Sequence, residues 1–174
     1  RLLLLLAYQI GSEVSVSELA KNLAVSRQTI ERYLDLLEKV FIIFRLPACS
    51  SNPRKEISKG KKVYFWDTGI RNALIRNFEI SDLRSDIGNL WENWVVAEFA
   101  KRNLTANLLE SLYFWRTPDG SEVDLVVRDV KGKIFPYEIK WSNEKTSHSA
   151  SFVAHYGKKV TVINKRNFLD FIIP

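Results

Sequence analysis

Two short stretches of this sequence, EVDLVV at residues 122–127 and YEIKW at residues 137–141, carry acidic side chains inside runs that otherwise have the apolar character of buried β-strands. Side chains alternate along a strand, so Glu138 and Lys140 share one face of the second stretch. If the two strands pair in register, these residues and Asp124 meet at one place on the sheet. Clustered carboxylates repel unless a cation lies between them, and Mg²⁺ or Mn²⁺ prefers such oxygen ligands.

An ordinary polar sheet face is the competing interpretation of the same residues. Strand parity places Glu122 beside Asp124, and Lys140 opposite a carboxylate would form a cross-strand ion pair in water. An aspartate followed by Glu-x-Lys arises often in any sheet with one polar face. Both interpretations stay open here, and they differ in whether a divalent cation binds near Asp124 and Glu138.

Elements around these strands complete an α/β pattern. An amphipathic helix is predicted in NLWENWVVAEFAKRN after Gly88, with Trp91, Trp94, Val95 and Phe99 on its packing face. Strand signals follow in SLYFWR, SEVDLVVRDV, IFPYEIKW and KKVTVIN. We therefore expect a helix, three antiparallel strands, and a further helix and strand.

The same predicted helix carries two glutamates. Glu92 and Glu98 lie six residues apart, which places them on different faces of the helix. At most one of them is therefore expected to point into any one site.

The first third of the chain has the helix order of a helix-turn-helix motif. Residues 2–10 are apolar enough for a buried helix, which Gly11 ends. Ser15 is the predicted N-cap of a second helix, with Glu18 at the capping-box position. The turn AVS then leads into a third helix capped by Ser26. Its apolar residues recur at a helical period and are predicted to pack inward: Ile30, Tyr33, Leu34, Leu37 and Val40.

A basic loop between FIIFRL and KKVYFW predicts a hairpin, which would be the wing of a winged helix. All of the net charge of +6 comes from residues 45–76, which carry eight basic and two acidic residues. Such a concentration attracts nucleic acid through counterion release, and a solvated lysine-rich loop is the equal alternative. The predicted DNA contacts are four residues at the start of the third helix and five of the hairpin: Arg27, Gln28, Thr29, Arg32, Arg54, Lys55, Lys59, Lys61 and Lys62.

Acidic residues on the same third helix work against DNA contact. Glu31, Asp35 and Glu38 would repel phosphates, so the wing is expected to contribute more affinity for DNA than the helix does. Winged helices also serve as protein-protein adaptors, and that alternative stays open.

Composition limits the class of protein to which this chain can belong. A chain of 174 residues with 46% hydrophobic and 26% charged residues is typical of a soluble globular protein with one large or two small domains. The apolar run from Leu2 to Ala7 is too short to span a membrane and lacks a signal-peptide pattern, so we expect a cytoplasmic location. The single cysteine, Cys49, excludes an internal disulfide and a cysteine-rich zinc site. A start at Arg1 within a predicted helix, and no methionine, suggest a fragment of a longer protein.

Two further motifs have structural interpretations. DTG at residues 67–69 is the catalytic tripeptide of aspartic proteases, but a single copy would need a symmetric dimer. Asp67 is instead the predicted N-cap of the helix GIRNALI. His148 and His155 fall in a polar stretch and are expected on the surface, since no further metal ligands can be placed beside them.

The spacing from Glu92 to Asp124, and on to Glu138 and Lys140, resembles the PD-(D/E)xK nuclease superfamily, which includes restriction enzymes and archaeal Holliday-junction resolvases. The resemblance implies that Asp124 and Glu138 hold Mg²⁺ or Mn²⁺. It also implies that Lys140 assists the nucleophile and that Glu92 is an auxiliary catalytic ligand. Val123 stands where the superfamily pattern has proline.

The run VYFWDTGIRNALI, GNLWENWVVAEFAKR, YFWRTPDGSEVDLVV and YEIKW resembles the C-terminal part of a family of prokaryotic AAA-type ATPases. No Walker A sequence occurs here, so ATP binding and an ATPase domain as partner are expected only of a longer protein. We expect an α/β (α+β) fold, with a winged helix-turn-helix at residues 1–76 and a restriction-endonuclease-like α/β sandwich with a mixed sheet at residues 77–174.

The predicted function is a DNA-associated module with Mg²⁺-dependent endonuclease activity. The alternative is a non-catalytic nuclease-fold domain that regulates or docks a protein partner or the ATPase ring. The oligomeric state is left open.

Overall fold

The computed structural model describes residues 1–50, 60–142 and 150–173. The chain divides into two compact units, of which the first comprises Arg1–Leu46 and Gly60–Trp94 and the second Pro47–Lys59 and Val95–Pro174. The predicted DNA contacts Arg54, Lys55 and Lys59, and also His148, lie outside the described residues.

The first unit contains a run of helices followed by a two-stranded sheet. Its elements are α1 (Leu2–Tyr8), α2 (Val16–Leu23), α3 (Arg27–Lys39), β1 (Ile43–Pro47), β2 (Lys61–Phe65) and α4 (Thr68–Ile75). An isolated antiparallel bridge joins Glu13 to Lys62, and Val14 donates its backbone N–H to the Lys61 carbonyl oxygen at 3.0 Å. The chain after α1 therefore runs along the free side of β2.

Side-chain caps fix the starts of three of these helices, as predicted. The Ser15 hydroxyl accepts the Glu18 N–H at 3.2 Å, and the Ser26 hydroxyl accepts the Thr29 N–H at 3.1 Å. The Asp67 carboxylate accepts the N–H of Gly69 at 2.6 Å, which confirms its role as an N-cap. Each cap satisfies a backbone donor that a helix start leaves unpaired, and contributes about 1 kcal/mol.

The core of the first unit takes only part of the apolar stripe predicted for α3. Ile30 and Leu34 are fully buried against residues of α1 and the sheet, including Leu6. Tyr33 and Val40, predicted to pack inward, are 49% and 55% exposed. The apolar residues of α3 span a wider arc of the helix surface than the neighbouring elements cover. The residues at the edge of that arc therefore remain exposed to solvent.

An ion cluster anchors the segment that follows α4. The Asp86 carboxylate accepts hydrogen bonds from the buried guanidinium groups of Arg71 and Arg84, the latter at 2.9 Å. Arg71 also donates to the Ala7 carbonyl oxygen at 3.0 Å. Residues 84–86 are therefore tied to α4 and to the end of α1.

The second unit is built on a mixed four-stranded sheet, which confirms the predicted mixed α/β class. Helix α5 (Ile87–Thr105) enters this unit at Val95. The elements that follow are β3 (Ser111–Arg116), β4 (Glu122–Arg128), β5 (Ile134–Ile139), α6 (Ala150–Tyr156), β6 (Thr161–Ile163) and α7 (Leu169–Ile172). The strand order is β3-β4-β5-β6, with antiparallel pairs up to β5 and a parallel β5-β6 pair. The predicted order of strands, helix and final strand is confirmed.

Helix α5 differs from the amphipathic helix that was predicted. Seven of its residues between positions 91 and 100 are buried, and they surround the helix axis: Trp91, Asn93, Val95, Val96, Ala97, Phe99 and Ala100. The reason is that its residues up to Trp94 belong to the first unit and those from Val95 onward to the second. The two parts bury different sides of the helix, so no polar face continues along its whole length.

Aromatic contacts attach helices to the sheet of the second unit. Phe99 of α5 lies 5.4 Å from the Tyr137 ring of β5, and Phe152 of α6 lies 5.1 Å from Trp115 of β3. None of the described helices is long and apolar enough to cross a membrane.

Candidate functional site

Asp124 marks the point at which strands β4 and β5 stop pairing through their backbones. The paired register ends at Leu125 and Tyr137. One step further, the Asp124 Oδ2 atom accepts the backbone N–H of Ile139 at 2.7 Å. The carboxylate thus satisfies an N–H of β5 where the ladder with β4 has ended, and this hydrogen bond fixes the orientation of a side chain that is only 12% exposed.

Lys140 lies between the two carboxylates that the sequence singled out. Its Nζ atom is 3.0 Å from Glu138 Oε1 and 4.0 Å from Asp124 Oδ2. The Glu138 side chain is 3% exposed, whereas that of Lys140 is 33% exposed. The structure therefore brings Asp124, Glu138 and Lys140 together, with two buried carboxylates reached by one ammonium group that contacts solvent.

The ligand chemistry of this cluster fits a magnesium-type ion bound largely through water. Among residues 1–50, 60–142 and 150–173, no group of three or more histidine, cysteine, aspartate and glutamate side chains is arranged to hold a metal ion. Mg²⁺ commonly binds one or two carboxylates and keeps several waters, so Asp124 and Glu138 supply a sufficient protein contribution. Zinc prefers nitrogen and sulfur ligands, which this cluster does not offer.

The other predicted carboxylates have separate partners. Glu122 Oε2 lies 3.6 Å from the Arg116 guanidinium of the neighbouring strand β3. Glu98 pairs with Lys101 on the same helix at 2.7 Å. Neither contact involves the cluster at Asp124.

Glu92, the predicted auxiliary ligand, is bound to strand β2 within the first unit. Its Oε1 atom accepts hydrogen bonds from the Tyr64 hydroxyl at 2.6 Å and from Lys62 Nζ at 3.1 Å. The Lys62 side chain is 3% exposed in this pair. These contacts give Glu92 a role in attaching α5 to β2, and they leave Lys62 inaccessible to a large ligand.

Sequence reasoning missed Asn93, the neighbour of Glu92. Its amide accepts the Phe65 N–H at 2.7 Å and donates to the Phe65 carbonyl oxygen at 2.8 Å. Asn93 is fully buried, so its side chain takes the place of a neighbouring strand at the end of β2. The sequence feature that could have identified Asn93 is its polar amide between two tryptophans, in the run WENW.

The predicted DNA contacts within the described residues differ in accessibility. Arg27, Gln28 and Arg32 are exposed at the start of α3, and Lys61 is exposed on β2. Thr29 is half-buried, and its hydroxyl lies 2.9 Å from that of Ser26.

Arg45 contacts all three carboxylates on the acidic side of α3. Its guanidinium contacts Glu31 at 3.0 Å, and Asp35 and Glu38 at 2.5 Å each. Burial alone would lower the pKa of Arg45, but the hydrogen bonds to Glu38 and Asp35 outweigh it and raise that pKa above its ordinary value. With Lys62 paired to Glu92 and Arg71 paired to Asp86, at least three of the eight basic residues of the charged segment are held by carboxylates of the protein itself.

Comparisons with known proteins give domain matches and distant relatives. Residues 1–81 match a family model described as a domain of unknown function (DUF8612), and residues 87–169 match another, a domain of unknown function (DUF4143). Uncharacterized proteins of Mycobacterium bovis and Mycobacterium tuberculosis are each 33% identical over 138 residues, which is 78% of this chain and 30% of theirs. An uncharacterized protein of Haemophilus influenzae is 23% identical over 171 residues, 94% of this chain and 40% of its own. The chain thus spans less than half the length of these relatives, and no solved structure matches it significantly.

Proposed function

We propose that the second unit is a PD-(D/E)xK-type nuclease domain that hydrolyses DNA phosphodiester bonds with Mg²⁺ or Mn²⁺. The observation that carries the proposal is the convergence of Asp124, Glu138 and Lys140 where the β4–β5 ladder ends. An ordinary solvated sheet face does not account for it, because both carboxylates are almost buried. Burying two like charges costs free energy unless cations compensate them, and such arrangements occur preferentially at functional sites.

Each residue of the cluster has a role in this proposal. A Mg²⁺ or Mn²⁺ ion held by Asp124 and Glu138 would supply Lewis-acid activation of the phosphodiester and of the attacking water. Ile139 holds the Asp124 carboxylate in one orientation through its N–H. Lys140, the most exposed of the three, is placed to stabilise negative charge that develops on the phosphate in the transition state.

We propose that the first unit is a winged helix that associates with DNA. Support comes from three helices followed by strands β1 and β2, with the Glu13–Lys62 bridge adding a third strand segment. The exposed residues Arg27, Gln28 and Arg32 would contact DNA from α3, and Lys61 from β2. Arg54, Lys55 and Lys59 remain predicted contacts of the loop, whereas buried Lys62 is not part of this surface.

The intact protein is proposed to be an AAA-type ATPase that carries this chain as its C-terminal region. The DUF4143 domain is found in AAA-ATPase-associated proteins. The mycobacterial relatives are more than twice as long as this chain, which leaves room for a nucleotide-binding domain. ATP would bind only to that domain.

A nicking assay tests the nuclease proposal. The wild-type chain, Asp124→Asn, Lys140→Ala and the control Glu122→Gln are incubated with supercoiled and branched DNA in Mg²⁺ or Mn²⁺. We expect the first two variants to lose at least about 100-fold in cleavage rate, while Glu122→Gln cleaves like the wild type. Cleavage that survives Asp124→Asn would reject this site as its origin.

A non-catalytic domain that docks a protein or the ATPase ring is the second candidate. The observation that favours it is the Lys140 ammonium group, which partly balances the charge of both carboxylates without a metal ion. Binding of DNA by all four proteins without cutting, together with no Mn²⁺ binding, would select this candidate.

A further inference from the structure

The chain turns after strand β6, at the sheet edge that carries the candidate site. Strands β5 and β6 are parallel, with Ile139 paired to Ile163. The next residue of β5's run, Lys140, donates its N–H to the Ile163 carbonyl oxygen at 2.9 Å. This register places Asn164 beside Lys140, with about 5 Å between the two backbones. We refer to residues 164–167 as the β6–α7 turn.

Two asparagine side chains hold the β6–α7 turn in one shape. The Asn167 amide accepts the Asn164 N–H at 2.8 Å and donates to the Val162 carbonyl oxygen at 2.9 Å. It thus takes the place of a further strand on the side of β6 that faces away from β5. The Asn164 Oδ1 atom accepts the Arg166 N–H at 2.9 Å. A turn fixed in this way loses little conformational entropy when a ligand binds to it.

Asn164 has a buried amide whose donor has no partner in the described chain. The register places its side chain on the sheet face shared with Glu138 and Lys140, and the residue is 5% exposed. Because Oδ1 accepts an N–H, the other terminal group is the NH₂ donor. Among residues 1–50, 60–142 and 150–173, nothing accepts a hydrogen bond from it. A buried polar group without a protein partner indicates a bound water, ion or ligand.

The carboxylate cluster alone does not attract a nucleic-acid strand. Asp124 and Glu138 face one ammonium group, that of Lys140. Glu122, at the start of β4, is matched by the Arg116 guanidinium at 3.6 Å. These groups together have a negative charge until a metal ion binds, and a negative charge repels phosphates. Cations of a neighbouring segment are therefore needed to hold a DNA substrate.

The β6–α7 turn supplies such cations. Among residues 160–173, Lys165 and Arg166 are the basic residues, both exposed, and Asp170 of α7 is the acidic one. The segment thus has two basic residues against one acidic residue. The Lys165 ammonium group lies 4.8 Å from the centre of the Trp141 ring, at the end of β5. Cation–π attraction therefore keeps this cation close to the candidate site.

We propose that the β6–α7 turn binds the sugar-phosphate backbone of the DNA strand that enters the candidate site. The Asn164 NH₂ group donates to the phosphate beside Lys140, and Lys165 and Arg166 contact the neighbouring phosphate. This role rests on the proposed nuclease function and gives it a substrate-binding surface in the second unit. Amide and basic side chains are usual donors to phosphate oxygens, and such contacts position a strand without reading its sequence.

A purely structural role for the turn is the competing explanation. The Asn164 Oδ1 atom would then serve only the Arg166 N–H, and water would satisfy the NH₂ group. Lys165 would be equivalent to any other surface lysine. The two explanations differ in the salt dependence of DNA binding, because each phosphate contact releases counterions from the DNA.

Fluorescence anisotropy of a labelled DNA duplex, titrated with the full chain at several salt concentrations, tests the proposal. Ca²⁺ replaces Mg²⁺ because it takes the same oxygen ligands in a looser geometry, so that binding is measured separately from cleavage. The turn variant combines Lys165→Gln and Arg166→Gln. Its matched control combines Lys158→Gln and Lys159→Gln, which remove the same charge from exposed residues at the opposite end of β6.

We expect the turn variant to bind DNA about tenfold more weakly than the control, and the slope of log affinity against log salt to fall by about 1 to 2. Lys165→Arg combined with Arg166→Lys keeps both charges and should retain the wild-type slope. In Mg²⁺, the turn variant should show a raised KM with kcat close to that of the wild type. Equal salt slopes for the turn variant and its control would overturn the proposal.

Asn164→Asp separates the amide donor from the structure of the turn. Aspartate keeps the oxygen that accepts the Arg166 N–H but has no NH₂ group. We expect Asn164→Asp to bind DNA at least about tenfold more weakly than Thr161→Asp, which adds the same charge at an exposed position of β6. Equal affinities of these two variants would overturn the contact proposed for Asn164.

The outcomes separate this proposal from the nuclease proposal. Cleavage by the wild type, with the KM and salt slope of the control retained in the turn variant, would overturn the turn as a binding surface and leave the nuclease function intact. A salt slope that falls in the turn variant, with no cleavage by any of the proteins, would support DNA contact by the turn and reject the nuclease function. No DNA binding by the wild type would overturn both.

Discussion

Asp124 accepts the backbone N–H of Ile139 at 2.7 Å, so one carboxylate both completes the sheet and faces the candidate site. The two roles can be separated because asparagine retains an oxygen that accepts the N–H but loses the negative charge. Alanine removes both.

Asp124→Asn is expected to keep the fold and lose cation binding. Its free energy of unfolding should stay within about 1 kcal/mol of the wild type, whereas Asp124→Ala should lose about 1 to 3 kcal/mol because the buried Ile139 N–H is left unsatisfied. Denaturant unfolding measures the stabilities, and calorimetric titration with Mn²⁺ measures binding. Wild-type Mn²⁺ affinity in Asp124→Asn would show that this carboxylate holds no cation.

Lys140→Met is expected to increase the amount by which divalent cations stabilise the folded protein. The substitution removes the ammonium group that compensates Glu138 and Asp124, so two buried like charges should destabilise the fold by roughly 1 to 3 kcal/mol. Added Mg²⁺ then binds without competition from the lysine, and its stabilising effect follows from linkage.

The measurement is the change in melting temperature on adding Mg²⁺, compared between Lys140→Met, the wild type and Lys131→Met. Lys131 is exposed in the β4–β5 turn and serves as a control for lost charge. Equal shifts for all three proteins would contradict a cation site between the carboxylates.

Features with a local pattern were predictable from the sequence. The caps at Ser15 and Asp67 depend on residues within three positions of each other, and strand periodicity placed Glu138 and Lys140 on one face. The meeting of Asp124 with this pair needed one further assumption, pairing in register, which hairpins with short turns satisfy.

Contacts between residues far apart in the chain could not be read from such patterns. Glu92 pairs with Lys62, thirty positions earlier, and nothing in either local sequence specifies the other. The same holds for Arg45 and its partner Glu31. The exposure of Tyr33 was missed for a related reason, since periodicity shows which residues share a face but not how much of that face its neighbours cover.

Asn93→Ala is expected to be among the most destabilising single substitutions in the first unit. It would leave both the N–H and the carbonyl oxygen of Phe65 buried without their partner, which costs about 1 to 3 kcal/mol for each group. Denaturant unfolding, with Asn89→Ala as an exposed control on the same helix, measures the difference. A loss below about 1 kcal/mol would mean that water satisfies the Phe65 groups in the variant.

Asp86 is expected to make the stability of the first unit depend on acid pH. Hydrogen bonds from Arg84, and then from Arg71, hold the pKa of the Asp86 carboxyl well below its ordinary value of 3.8. Because the folded state binds the proton more weakly than the unfolded state, Asp86 stabilises the fold above about pH 4, and this contribution is lost as the pH falls further.

The matched variant is Asp86→Asn, which leaves two buried guanidinium groups without their carboxylate. At neutral pH it should lower the free energy of unfolding by roughly 2 to 4 kcal/mol, and the difference from the wild type should shrink between about pH 4 and pH 2 as the wild type loses the same interaction. Unfolding by urea across this range measures both curves, with Ser85→Ala as a neighbouring substitution that keeps the carboxylate. A difference that stays constant down to the lowest pH would show that Asp86 acts through packing and not through its charge.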